Sequence, residues 1–323
     1  MRVLFGFSEP VEANAFPLLD RVIYAIQDHG HQFSAPSGLL PEELGSYFNA
    51  YPIHRELLEK ELVQDAYRSH HIRTLTVCDA PAMTAWPVTE EVELIAENAA
   101  RYLAEPLTLL VENELDDGDL YKLMLSSVDA RLGRDFWVTR MVTFAHAGGK
   151  GEVPKLVLRR YAESLERGYP RRLIAIVDGD RKYPGHVGDN GPVRGACSIT
   201  RFGFHALEKR AIENYLSDRT LLAYAQRAPE VTPAVSFFLG LSREQRDHHP
   251  IKRAFEQKKL VAMGAEEAAL YSGVKDGDLL SMSLGQLVRS YLSHDPEMSL
   301  HDLTSRYADV EMRTLAEQIW TWV

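Results

Sequence analysis

The strongest constraint on this chain is a recurring pattern: short saturated aliphatic runs end abruptly in carboxylates and give way to helical periodicity. LLVENELDD, residues 109–117, sets four acids within six positions directly after an aliphatic run, and RLIAIVDGD repeats the arrangement at 172–180. Short apolar runs bounded by turn formers read as buried strands, and apolar residues at 3.6-residue spacing read as helices. On that basis residues 107–111 form a strand, DGDLYKLMLSSVDARLG a helix, and DFWVTRMVTFAH a strand closed by AGGKG. VPKLVLRRYAESLERGYP then reads as a helix stopped by Gly168 and Pro170, and RLIAIVDGD as the next strand. A Gly- and Pro-rich loop, RKYPGHVGDNGPVRG, leads to CSITRFGF as a strand and HALEKRAIENYL as a helix. This alternation predicts an α/β fold with a mostly parallel sheet flanked by helices. In such sheets ligands bind beyond the carboxyl ends of the strands, where both acidic groups fall.

The rest of the chain divides around that unit. Residues 1–104 read as a mixed, mainly helical region: AFPLLDRVIYAIQDHG is a helix ending at Gly30, IRTLTVCDAPA a strand, and TEEVELIAENAARYLAEP a helix. Residues 105–218 form the α/β unit, and 219–323 a C-terminal helical domain. Within the last, LSREQRDHHPIKRAFEQKK carries six Lys/Arg and reads as a charged amphipathic helix or a nucleic-acid contact. No internal repeat or heptad run is present.

Composition excludes several classes. No stretch approaches the ~18 uninterrupted apolar residues of a membrane span. The opening MRVLFGFSEPVEANAF lacks the basic, apolar and small-residue sections of a secretory leader, so a cytoplasmic protein with no membrane partner is expected. Two cysteines, Cys78 and Cys197, exclude a disulfide framework and a cysteine-rich zinc site. The net charge is −10, yet residues 155–210 hold twelve Lys/Arg against six Asp/Glu, an excess of +6 that leaves −16 for the remainder. From charge alone, an ordinary solvated surface is the preferred reading of such a window.

Three acidic groups stand out: Glu112 with Asp116, Asp178 with Asp180, and Glu208 with Glu213. Glu112 and Asp116 are four residues apart at a strand-to-helix junction. Spacing of two places Asp178 and Asp180 on one face of an extended chain. The helical reading puts Glu213 a turn and a half beyond Glu208. Converging carboxylates repel unless a cation neutralises them, and hard divalent cations favour such oxygens. Taken singly, DGD after a strand is more often a turn and VENELDD more often a helix N-terminus.

Together these segments resemble the TOPRIM domain shared by bacterial primases, topoisomerases, RNase M5-type maturases and OLD-type nucleases. LLVENELD matches the strand ending in Glu with an acid four positions on, VTFAHAGGKG the strand ending in a Gly pair, and LIAIVDGD the Asp-x-Asp strand. LEKRAIENYL is similar to the Arg-x-x-Glu-Asn-Tyr segment of OLD-type and stand-alone phage-defence members. The match spans about 105–218. Asn113 stands where the family has Gly, and Lys182 where topoisomerases and primases carry a third Asp, which moves the resemblance toward the nuclease branch.

The resemblance implies a two-metal Mg²⁺ or Mn²⁺ endonuclease. Glu112, Asp116 and Asp178 would hold one ion and Asp180 with Glu213 would complete the second. It also implies a phage-defence effector acting on DNA beside a separate ABC-type ATPase. Lys209 and Arg210, ahead of Lys150 and Lys182, are the candidates to neutralise charge at the scissile phosphate; a salt-bridged surface explains the first two equally well. GGKG is not a Walker motif, because the leading Gly and the following Ser/Thr are missing. Two other readings stay open: an RNA- or tRNA-cleaving enzyme, and a non-catalytic module whose acids bind a cation or a basic partner.

Overall fold

The computed structural model describes residues 1–65, 73–79, 91–113, 117–133, 136–137, 142–251, 255–256, 260–281 and 298–322. They are organised by two four-stranded parallel sheets. The first contains β1 (Arg2–Phe5), β2 (Gln32–Phe33), β3 (Thr74–Val77) and β4 (Glu91–Leu94) in the order β2-β1-β3-β4. Helices α1 (Phe16–Asp28), α2 (Gly45–Ala50), α3 (Pro52–Asp65) and α4 (Ala96–Ala104) accompany it, and α1 and α4 share one apolar core with its strands.

The expectation of a mixed, mainly helical N-terminal region included one strand but not this sheet. Of its four strands only β3 is foreseen from the residues. Glu91–Leu94, expected as the start of one long helix, alternates exposed and buried positions with the period of two that a strand imposes, and the helix begins only at Ala96. The two-residue β2 is too short to leave a pattern.

The second sheet contains β5 (Leu107–Val111), β6 (Val142–His146), β7 (Leu173–Val177) and β8 (Gly203–Ala206), in the order β6-β5-β7-β8. All five residues of β7 are buried, so the run is aliphatic throughout and not alternating. Each of its Leu, Ile and Val side chains gains about 1.5–3 kcal/mol on leaving water. Helices α5 (Asp119–Val128), α6 (Val153–Arg167) and α7 (Gly191–Thr200) cover the sheet. Cores on opposite faces divide β5 by parity: Leu109 and Val111 pack with α5, Leu110 with α6 and α7. Gly168, with φ 78°, ends α6 as expected.

Two expected elements change type. CSIT, read as strand, is the end of α7. Pro192 sits in that helix's first turn, and Val193, Ala196, Cys197 and Thr200 are buried at helical spacing. HALEKRAIENYL, read as helix, is the end of β8, an irregular segment, and one 3₁₀ turn at Ile212–Tyr215. Asn214 explains this. Its Oδ1 accepts from Ala211 N (2.9 Å) and its Nδ2 donates to Arg246 O and His249 O (2.6 and 3.0 Å), giving the backbone an alternative to a helix.

The C-terminal helices are α8 (Asp218–Arg227), α9 (Thr232–Gly240), α10 (Arg243–His248), α11 (Ala265–Leu270), α12 (Asp276–Ser281), α13 (Leu300–Ser305) and α14 (Asp309–Trp322). Expected as a separate domain, they instead complete the core of the second sheet. Val235, Phe238, Leu303, Met312, Leu315 and Ile319 belong to the same cluster as Leu109, Met124 and Ile176. Buried Arg172 joins this unit to the first sheet, donating to Leu103 O and Trp322 O (both 3.3 Å). No helix among the described residues is long and apolar enough to cross a membrane.

Candidate functional site

Because the strands of the second sheet are parallel, their carboxyl ends form one rim, and the chain's crossovers diverge between β5 and β7. Such a switch point opens a crevice above the sheet. Glu112 follows β5 and Asp178 follows β7, and the two meet there: Asp178 N donates to Glu112 Oε1 at 3.2 Å. Asp178 Oδ1 in turn accepts from Ile212 N at 3.0 Å.

The Glu112 carboxyl is pushed up to about 7, first by burial, then by the charge of Asp178, with Asp180 adding to it. The Asp178 N–H and Lys150 oppose the shift. Two acids sharing a partly dry crevice account for it. In metal-free protein the sign of the pH dependence follows. The folded state holds this proton over a pH range in which the unfolded chain has released it, so stability falls as pH rises from about 4.5 through about 7. Thermal unfolding between pH 5 and 8 is expected to show that decline, and Glu112→Gln to flatten it.

Asp180 does not continue an extended chain, which corrects the one-face expectation for Asp178 and Asp180. It has φ 50°, its N–H donates to Arg210 O (2.8 Å), and its half-exposed carboxylate pairs with Lys150. Only glycine fits before it: a Cβ on Gly179 would lie 2.1 Å from Lys209 O and 2.3 Å from Leu207 O. Asn190 Nδ2 closes the turn from the other side, donating to Asp178 O and Gly179 O (3.3 and 3.2 Å). The glycines at 148 and 149, with φ 86° and 101°, make the sharp turn that brings Lys150 to Asp180.

The structure therefore brings Glu112, Asp178, Asp180 and Lys150 together. Glu213 is buried in the 3₁₀ turn, next to the Ile212 whose N–H binds Asp178, while Glu208 is exposed; the helical relation expected between them does not exist. Asp116 lies outside the described residues.

Lys209 and Arg210 follow the salt-bridged alternative and not the phosphate-facing one, though in a buried or half-buried setting. The Lys209 ammonium is buried against Asp247 (2.7 Å), and burial pulls its pKa below the usual lysine range despite that partner. Arg210 donates to His248 O (2.9 Å) and reaches Glu267 (3.5 Å). Both side chains fasten the C-terminal helices to residues 207–212. Their backbone carbonyls, not their charges, shape the site. Lys182 is exposed on the loop after Asp180.

Three contributors escaped the sequence reading. Asp117, last of the four acids, is buried and accepts from Asn113 N (3.2 Å). Tyr121, one helical turn later, is buried with its phenol held well above the usual range, by burial first and then by Asp178, Asp117, Glu311 and Glu112. Glu311 approaches from α14 and carries no local motif. The Asp117 signal was present in the acid run; the others required the fold.

Among the described residues no group of three or more His, Cys, Asp or Glu side chains is placed to ligate a metal. The donors that do meet nevertheless suit a hard cation: two carboxylates at the switch point and a third beside them, paired with one lysine. Burial first, and then the charges of Asp178 and Asp180, raise the Glu112 carboxyl, and a cation would relieve the second of these. Comparisons with protein-family models, with curated proteins and with solved structures find no match.

Proposed function

We propose that the protein is a TOPRIM-type, divalent-cation-dependent endonuclease acting on DNA, with Glu112 and Asp178 at the centre of its site. One observation carries this reading: two acids 66 residues apart in sequence meet at the switch point of an all-parallel sheet, where the Glu112 carboxylate accepts from the Asp178 backbone N–H at 3.2 Å. Glu112, Asp178 and Asp180 are the described carboxylates that would hold the ion, and Asp116 and Glu213 complete the set implied by the resemblance. When bound, Mg²⁺ or Mn²⁺ supplies Lewis acidity to phosphate oxygens and activates water.

The chain's own residues have separate tasks. Lys150, tethered to Asp180, brings a positive charge to the rim where a phosphate would lie. Ile212 N and Asn190 keep Asp178 and its turn in place, so little reorganisation is needed when charge develops. The resemblance to the OLD-type branch adds a phage-defence role and an ABC-type ATPase partner to this proposal.

The test is conversion of supercoiled plasmid to nicked and linear forms by the purified chain, with matched RNA alongside. Cleavage of DNA with Mg²⁺ or Mn²⁺, abolished by a chelator, is the expected result. No divalent-dependent cleavage of DNA, alone or with a partner ATPase, would overturn the proposal, and cleavage of RNA alone would replace DNA as the substrate.

A further inference from the structure

The Asp178-Gly179-Asp180 turn is held on one side by Asn190 and on the other by an irregular segment. It is moulded on residues 207–212: Gly179 packs against the carbonyls of Leu207 and Lys209, Asp180 N donates to Arg210 O (2.8 Å), and Ile212 N holds Asp178 Oδ1 (3.0 Å). That segment is irregular, so whatever fixes it fixes the site. One buried carboxylate on α14 collects its bonds. Glu311 Oε1 accepts from Glu208 N (2.9 Å) and lies 3.1 Å from His205 Nε2, while Glu311 Oε2 accepts from the Tyr215 hydroxyl. The Tyr215 oxygen then accepts from Lys209 N (3.2 Å). A single side chain 131 residues downstream of Asp180 thus bonds residues 205, 208 and 215 directly and Lys209 through Tyr215, and these flank the Leu207, Lys209, Arg210 and Ile212 backbone groups that meet the turn.

We infer that Glu311 is a positioning residue that couples α14 to the carboxylate site, so that cation affinity depends on the docking of that helix. The inference rests on reading Glu112 and Asp178 as a cation site. Partners that orient metal ligands typically change affinity about 10–100-fold when removed. Glu311 does so through backbone amides and one phenol, without touching the reacting atoms.

The experiment is calorimetric titration of Mn²⁺ into wild-type protein, Glu311→Gln, Tyr215→Phe and Leu315→Val. Gln keeps the shape but turns an amide donor toward the Tyr215 hydroxyl. Phe keeps the ring and removes one bond. Val, on the same helix, lowers stability by a packing loss while leaving every hydrogen bond of Glu311 in place. Expected are Mn²⁺ affinities about tenfold or more weaker in Glu311→Gln and severalfold weaker in Tyr215→Phe. Leu315→Val should bind as wild type does, although its thermal midpoint falls.

Equal Mn²⁺ affinity in folded Tyr215→Phe and Glu311→Gln would overturn the inference and leave the proposed site standing. Equal weakening in Leu315→Val would overturn it too, by reducing the effect to general stability. Absence of Mn²⁺ binding by wild-type protein would overturn both the cation site and its positioning.

Discussion

Asp178→Asn is expected to abolish divalent-dependent DNA cleavage, by at least the 10²–10³-fold that follows loss of one preorganised electrostatic contact, while the fold survives. Asn keeps an oxygen where Asp178 Oδ1 accepts from Ile212 N, so the 3₁₀ turn stays anchored. Ala would remove that acceptor and leave a backbone N–H unsatisfied at about 1–3 kcal/mol, confounding chemistry with stability. The same substitution removes the largest like-charge contribution to Glu112, whose pKa should fall back from about 7 toward the usual carboxylate range. Carboxyl chemical shifts followed through a pH titration report that fall. Plasmid nicking retained by a well-folded Asp178→Asn protein would end the two-carboxylate reading.

The second large effect concerns stability. Asp247 on α10 faces two buried cations, Lys209 Nζ and Arg306 NH2, each at 2.7 Å, with Arg243 at 3.8 Å. Arg306 is 1% exposed and also donates to Asn214 O (2.9 Å). Breaking a buried ion pair from one side strands its partner, at a typical cost of about 3–5 kcal/mol. Asp247→Ala strands two. Lys209 has an escape, since burial already lowers its pKa and the neutral amine is accessible; Arg306 has none.

A fall of about 3–5 kcal/mol in unfolding free energy is therefore expected, read from the urea midpoint. The triple variant Lys209→Met, Asp247→Leu, Arg306→Met should recover much of it by replacing the charges with packed apolar groups. A loss below about 1 kcal/mol in Asp247→Ala would show that solvent reaches the cluster and screens it.

These two experiments separate the roles assigned to the acids and bases of the rim. Glu112 is half-buried beside Asp178, and its carboxyl is pushed up by burial first and then by the Asp178 charge. Lys209 and Arg210, which by composition look like phosphate ligands, are held inward by Asp247, His248 and Glu267. Charge type and proximity in sequence cannot distinguish these cases, because the deciding partners lie about 40–60 residues away on α10 and α11.

Local chemistry by itself determined the strands at 107–111 and 173–177, the helices α5 and α6, the Gly168 stop, and the presence of acids at two strand ends. In each, an apolar run or a helical period encodes the element within a dozen residues, and a glycine or carboxylate marks its end. Only the tertiary structure decided the rest. The parallel pairing of β5 with β7 put Glu112 beside Asp178, and Asn214 bonding across to α10 turned an expected helix into a 3₁₀ turn. The docking of α14 brought Glu311 under the site. Nothing in the neighbouring residues of either partner encodes such contacts, because they arise from burial of apolar faces between elements far apart in the chain.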